Sequence, residues 1–107
     1  MTETWTAKGC YYNTGKALGD ILMKVGSYGT VNKRLDACKD KADTEGVTLF
    51  GLDNKRCWTG TDGENTYDKF GSSAQCKEVD GNKMGYFTSE SIAIYKKNNG
   101  KLCIKQV

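Results

Sequence analysis

Histidine is absent from this chain of 107 residues, and its absence removes several kinds of chemistry. Without an imidazole there can be no Ser-His or Cys-His catalytic pair. The cysteines form no CxxC pair, so their spacing excludes zinc ribbons, zinc fingers and thioredoxin-type redox sites. No apolar run is long enough to span a membrane. The first residues also lack the apolar segment of a signal peptide, which weakens the secreted interpretation if Met1 is the natural first residue.

The sequence also lacks any concentration of charge of one sign. The formal net charge is +3, from 16 basic and 13 acidic residues that are spread along the chain. The densest basic run is only Lys96-Lys97, next to a predicted turn. A nucleic-acid-binding surface needs a concentrated basic face. We therefore predict no nucleic-acid partner and no membrane insertion.

Cysteine, by contrast, is abundant, with five residues in a chain whose length fits one domain, residues 1–107. A domain of this size buries a modest core and gains from covalent links. Because disulfides persist in oxidising compartments, this composition predicts a disulfide framework in a secreted, extracellular protein. One cysteine must be left over, and the other four can pair in three ways. The disulfide candidates are Cys10, Cys38, Cys57, Cys76 and Cys103.

The clearest predicted element is a helix from about residue 30 to residue 45. Thr30 is suited to its N-cap and Gly46 to its C-terminal end. Cys38 lies on its apolar stripe, so it is either a disulfide partner to the sheet or a small buried residue. A narrow stripe indicates packing of one helix face on a sheet. The stripe follows helical spacing and consists of Val31, Leu35, Cys38 and Ala42.

Short apolar or alternating runs predict strands around this helix. Asn99-Gly100, between two alternating runs, predicts a hairpin into the last strand. A short helix is predicted over residues 17–23. The fold class that follows is α+β, with a twisted, mostly antiparallel sheet packed against one main helix and stapled by disulfides. The first predicted strand includes Trp5 and residues 10–12. The others are residues 47–52, 56–58, 84–87, 92–97 and 102–107.

The segment from Cys57 to Cys76 is polar, rich in glycine and without a clear helix or strand pattern. Ordered loops of this length are usually functional, and a Cys57–Cys76 disulfide would clamp the two ends. A sugar needs an aromatic ring for its apolar face and fixed polar groups for its hydroxyls. The predicted ligand-binding residues are Arg56, Trp58, Asp62, Glu64, Asn65, Tyr67, Asp68 and Lys69.

Structural roles compete with this interpretation. Trp58 follows a strand cysteine and is equally suited to the core. Tyr67 and Phe70 are three residues apart and could form a small core of the loop itself. Asp62-Gly63 and Asp68 are typical turn residues. The binding hypothesis therefore rests on the cluster and not on any single residue.

Metal binding and catalysis are weaker alternatives for the same loop. Asp62, Glu64, Asn65 and Asp68 offer oxygen ligands, but their spacing does not match an EF-hand calcium loop. A glycosidase using two of the carboxylates would need a deep cleft to raise the pKa of its acid, and the chain is short for that. We predict no metal, no cofactor and no enzymatic activity.

Five segments of the chain carry recognisable motifs: Gly9–Tyr12, Leu35–Cys38, Gly46–Leu52, Cys57-Trp58 and Thr66–Cys76. Together these motifs resemble a known family of small secreted invertebrate modules, some of which resemble soluble lectins. Their layout is similar to apple/PAN and WSC modules, in which a helix is stapled to a curved sheet. The resemblance covers roughly residues 5–95 and implies an extracellular, lectin-like module. Asp53 replaces the glutamine of the family pattern, and Cys103 lies beyond its usual end.

Two disulfide schemes follow, both including Cys57–Cys76. In the first, Cys10 pairs with Cys103, as the resemblance to apple-like modules implies, and Cys38 is a buried thiol. In the second, Cys10 pairs with Cys38, and Cys103 is left to form a disulfide-linked homodimer. We favour the second scheme because Cys103 falls outside the family pattern.

The predicted function is a secreted carbohydrate-binding module that recognises glycans or glycoproteins. Galactose-type sugars are expected because their apolar face suits a tryptophan ring. The alternative is a protein–protein interaction module with an adhesive or defence role and no sugar binding. A toxin-like inhibitor is a third hypothesis, which rests only on size and disulfides.

Overall fold

Helix α1, Val31–Glu45, begins and ends at the residues that the sequence indicates. The hydroxyl of Thr30 accepts the N–H of Lys33, and Gly46 adopts the left-handed conformation that ends the helix. The side chains of Val31, Leu35, Cys38 and Ala42 are all buried. The prediction of this helix and of its buried stripe is confirmed in the computed structural model, which describes residues 5–14 and 17–98.

Within the described residues, five strands form one sheet in the order β1 (Trp5–Tyr12), β7 (Ser91–Lys97), β3 (Leu49–Leu52), β4 (Arg56–Thr59) and β2 (Asp20–Lys24), and every neighbouring pair is antiparallel. In the same part of the chain, β5 (Cys76–Val79) and β6 (Asn82–Gly85) form a second, two-stranded sheet. The predicted α+β class is therefore confirmed. Helix α2 is Gly63–Thr66, and a 3₁₀ turn is Phe87–Ser89.

The large sheet separates two apolar clusters, because successive strand residues point to opposite faces. On the helix face, α1 packs over Phe50, Leu52 and Cys57. On the opposite face, which we call the loop face, Trp58 packs with Leu18 and with residues of β3 and β7. The loop between β4 and β5 partly covers this second face. Cys57 and Trp58, adjacent in sequence, thus belong to different cores.

The predicted short helix over residues 17–23 is wrong. Asp20–Lys24 is strand β2, which pairs with β4 and forms an edge of the large sheet. The run is too short to nucleate a helix by itself, and the ladder with β4 supplies its hydrogen bonds. The predicted hairpin at Asn99-Gly100 and the strand after it lie outside the described residues.

The structure contains the disulfides Cys10–Cys76 and Cys38–Cys57, so the predicted pairings Cys57–Cys76, Cys10–Cys38 and Cys10–Cys103 are wrong. Cys38 and Cys57 both lie on the helix face, with 5.8 Å between their Cα atoms. Cys103 lies outside the described residues.

The Cys10–Cys76 disulfide follows from the path of the loop between β4 and β5. The N–H of Tyr12 donates to the carbonyl of Gly71, and the N–H of Ser73 donates to the carbonyl of Cys10. These bonds lay the end of the loop along β1 and bring Cys76 to Cys10. Two disulfides are compatible with an extracellular protein. Within the described part of the chain, no helix is long and apolar enough to cross a membrane.

Candidate functional site

A cavity of about 530 Å³ opens on the loop face of the sheet. We call it the Trp58 cavity. It lies where the turn between β3 and β4 meets the 3₁₀ turn before β7, and Ile92 of β7 forms part of its floor. Its walls therefore come from segments that are far apart in sequence. Its polar and aromatic lining includes Asn13, Asp53, Lys55, Arg56, Trp58, Phe87 and Glu90.

Asp53 holds one side of this cavity together. Its side chain is 2% exposed. Oδ1 accepts the backbone N–H groups of Lys55 and Arg56 at 2.7 and 2.6 Å, and Oδ2 accepts the indole N–H of Trp58 at 2.9 Å. A buried carboxylate is tolerated because several donors surround it. Asp53 thus fixes both the turn and the orientation of the indole ring.

Phe87 provides the aromatic surface on the other side of the cavity. Its backbone N–H donates to the side-chain oxygen of Asn54 at 2.7 Å, which ties the 3₁₀ turn to the β3–β4 turn. The guanidinium of Arg56 lies 4.8 Å from the ring centroid of Phe87, and Nζ of Lys55 lies 5.1 Å from it. Both distances are within the range of cation–π attraction. Two cations therefore stand beside a half-buried aromatic ring.

Trp58 contributes less surface than the sequence indicates. Only 6% of the residue is exposed, and its indole N–H is already bonded to Asp53. Arg56 lies 5.9 Å from its ring centroid. Trp58 therefore packs mainly in the apolar cluster on the loop face, and only a small part of it lines the cavity.

Glu90 lines the cavity from a strained backbone position. Its φ of 53° is in the left-handed region, which a non-glycine residue adopts at a cost of about 1–2 kcal/mol. Its carbonyl accepts the N–H of Asn13 at 2.6 Å. The Asn13 side chain bonds in turn to the N–H and the carbonyl of Leu18. Strain of this kind is concentrated at binding sites.

Three of the predicted ligand-binding residues lie around a second concavity, of about 480 Å³. Glu64 accepts the Thr48 hydroxyl at 2.6 Å and pairs with Lys96 at 3.1 Å. These two partners, the Thr48 hydrogen bond first, hold the pKa of the Glu64 carboxyl below its usual value. Asp62 accepts the side-chain N–H of Asn65 at 2.7 Å. Asp62 is therefore engaged within the loop, and Glu64 is engaged with residues outside it.

Tyr67, Asp68 and Lys69 line neither concavity in the described structure. The Tyr67 ring meets Tyr11 edge-on, with 5.1 Å between centroids. Burial raises the pKa of the Tyr67 hydroxyl, and the neighbouring Tyr11 and Asp68 raise it further. Phe70 is 38% exposed, with Lys69 over its ring. Tyr67 thus packs against the sheet and Phe70 faces solvent, so the expected small core of the loop, made by Tyr67 and Phe70, is not formed.

The structure brings together only Arg56 and Trp58 of the predicted set at the Trp58 cavity. The sequence analysis missed Asp53, Phe87 and Glu90 as cavity residues. For Asp53 a local signal existed, because an aspartate that begins a tight turn commonly binds the backbone N–H groups that follow. Phe87 and Glu90 carry no such signal, since tertiary contacts alone bring them to the cavity.

No cluster of acidic or cysteine side chains within residues 5–14 and 17–98 is arranged to hold a metal ion. Comparison of the chain with known protein families, curated protein sequences and solved structures finds no match.

Proposed function

We propose that this chain is a secreted, lectin-like module that binds one sugar residue of a glycan in the Trp58 cavity. The observation that carries the proposal is the lining of this cavity, in which the Phe87 ring stands beside two cationic side chains and Glu90 adds a carboxylate. Ligand cavities typically measure about 300–1,000 Å³ and combine apolar surface with a few placed polar groups. The motif resemblance to lectin-like invertebrate modules supports the same function.

Each group has a definite role in this proposal. Phe87 supplies the apolar surface on which the sugar ring packs. Arg56 and Lys55 donate hydrogen bonds to hydroxyl oxygens, and Glu90 accepts from hydroxyl hydrogens. Asp53 acts as a positioning residue, because its oxygens are occupied by protein donors.

A glycan array tests the proposal with two phenylalanine variants. Phe87→Ala should lower the wild-type signal about tenfold or more, since stacking and burial are lost. Phe70→Ala is the matched control, because Phe70 is exposed on the loop between β4 and β5 and does not line the Trp58 cavity. This variant should bind glycans as the wild type does. No array signal above background, or full binding by Phe87→Ala, would overturn the proposal.

Protein recognition is the second candidate, and one observation favours it. Ile21 is 50% exposed on β2, a strand with one neighbour in the sheet that residues 5–14 and 17–98 form. Exposed edge strands can accept a strand of another chain. Competition by free monosaccharide separates the two functions, since it displaces a glycoprotein held at the Trp58 cavity and leaves one held at β2. The homodimer through Cys103 stays a prediction.

A further inference from the structure

A basic concavity of about 450 Å³ adjoins the Trp58 cavity. We call it the basic corner. It shares Lys55 and Arg56 with the Trp58 cavity, and Lys24 faces Arg56 across the β2–β4 ladder. The same two cations therefore border two adjoining concavities. The basic corner is lined by Lys24, Gly26, Ser27, Lys55 and Arg56.

The charges of the basic corner form no ion pair within residues 5–14 and 17–98, and Glu90 lines only the adjoining Trp58 cavity. No carboxylate oxygen there lies within 4.0 Å of the charged groups of Lys24, Lys55 or Arg56. The closest acidic residue in sequence, Asp53, is buried and bonded to backbone and indole N–H groups. Three like charges around one concavity repel each other unless an anion lies between them.

The backbone around the corner is held in place. The N–H of Val25 donates to the carbonyl of Lys55, and the N–H of Tyr28 donates to the carbonyl of Val25. Arg34 donates to the carbonyls of Gly26 and Tyr28. The N–H groups of Gly26 and Ser27 donate to no backbone acceptor among the described residues. The turn after β2 therefore presents the backbone N–H groups of Gly26 and Ser27 in a conformation that Arg34 holds in place.

We propose that the glycan bound in the Trp58 cavity carries a sulfate or carboxylate group, which Lys24, Lys55 and Arg56 hold in the basic corner. This inference rests on the proposed sugar binding and adds the substrate class. The planar guanidinium of Arg56 matches two oxygens of such a group at once. Lys24 is the residue that distinguishes the anion site, because it borders the basic corner and not the Trp58 cavity.

The test is an array that presents each neutral glycan beside its sulfated and uronate-bearing counterparts. The wild type should prefer an acidic form by about tenfold, since charge-assisted hydrogen bonds are roughly twice as strong as neutral ones. Rising salt should reduce this preference. A preference for sulfate alone or for carboxylate alone identifies which acidic group is bound, and a preference for both supports the shared chemistry.

Variants separate this inference from the proposed function. Lys24→Ala should remove most of the acidic preference and leave binding of the neutral glycan unchanged. Lys24→Glu should lower the acidic signal further, and Lys77→Ala, an exposed lysine on β5, should change nothing. Phe87→Ala should weaken neutral and acidic forms alike.

Two results would overturn the anion site while sugar binding stands. One is equal binding of neutral and acidic forms by the wild type, and the other is an acidic preference that survives Lys24→Ala. If no glycan binds at all, the proposed function fails and the anion site fails with it.

Discussion

Asp53 shows how much one side chain can determine at the residue scale. Its two oxygens accept three N–H groups, of which the indole N–H of Trp58 is buried and the two backbone N–H groups are partly buried. Asp53→Ala should therefore lower the free energy of unfolding by about 3 kcal/mol, because all three donors lose their acceptor. Urea unfolding measures this loss. Asp68→Ala, an exposed carboxylate in the loop, should stay within about 0.5 kcal/mol of the wild type. A loss below about 1 kcal/mol for Asp53→Ala would contradict this role.

Among the described glycines, Gly85 leaves the least room for a side chain. A Cβ at this position would lie 1.9 Å from the carbonyl oxygen of Ser91 and 2.7 Å from the Cα of Ile92. Because both neighbours are backbone atoms, Gly85→Ala should destabilise the fold by about 4 kcal/mol or more, or prevent folding.

Gly51→Ala is the matched comparison for this prediction. Its Cβ would meet the side-chain ends of Ile92 and Leu18 at 2.8 and 3.0 Å and the Cβ of Ile92 at 3.2 Å. These are side-chain atoms, which can shift further than the backbone atoms next to Gly85. We expect a cost of about 1–2 kcal/mol. Thermal unfolding of both variants measures the difference, and equal melting temperatures would contradict the explanation.

At the scale of single elements, Glu64 connects helix α2 to the large sheet. Glu64 joins α2 to Thr48, just before β3, and to Lys96 of β7. The folded state lowers the pKa of Glu64 below its ordinary 4.5. Its stabilising contribution is therefore present above about pH 4.5 and is lost as the pH falls through the lower folded pKa.

Glu64→Gln tests this contribution. At pH 7 the variant should be less stable than the wild type by under about 1 kcal/mol, since the pair is partly exposed. At pH 3 or below this difference should shrink. Denaturant unfolding at both pH values measures it, with Glu78→Gln on β5 as the control. A difference that does not depend on pH would contradict the role of the charge.

Local signals explain which elements the sequence predicts correctly. Helix α1 carries its own cap, apolar stripe and terminal glycine, so its bounds follow from neighbouring residues. Strand β2 has none of these, and its ladder partner Arg56–Thr59 lies more than 30 positions away. The same distinction separates Trp58, which a local pattern suggests, from Phe87, which only the folded chain brings to the cavity.

At the scale of the whole molecule, the two disulfides connect different layers. Cys38–Cys57 joins α1 to β4, and Cys10–Cys76 joins β1 to β5. Pairing could not be predicted from spacing, because it depends on which face of the sheet each cysteine occupies. The loop between Cys57 and Cys76 is held by hydrogen bonds to β1, and no disulfide joins its two ends.

Removing either disulfide should lower the free energy of unfolding by an amount that grows with the number of residues in the loop that it closes. The separations are 19 residues for Cys38–Cys57 and 66 residues for Cys10–Cys76. Loop-closure entropy gives losses of about 3 and about 4 kcal/mol for the paired alanine variants. Guanidinium unfolding measures both. Peptide mapping without reduction supplies the control, and a Cys57–Cys76 crosslink would contradict the pairing.

The position of β7 in the sheet has a consequence for synthesis. β7 lies in the interior of the large sheet, between β1 and β3, yet it is the last strand to leave the ribosome among those described. β1 must therefore wait for a partner translated some 80 residues later. β7 therefore has to insert between two strands, β1 and β3, that are already synthesised. Such long-range pairing slows folding, so we expect the sheet to close only after translation has passed β7.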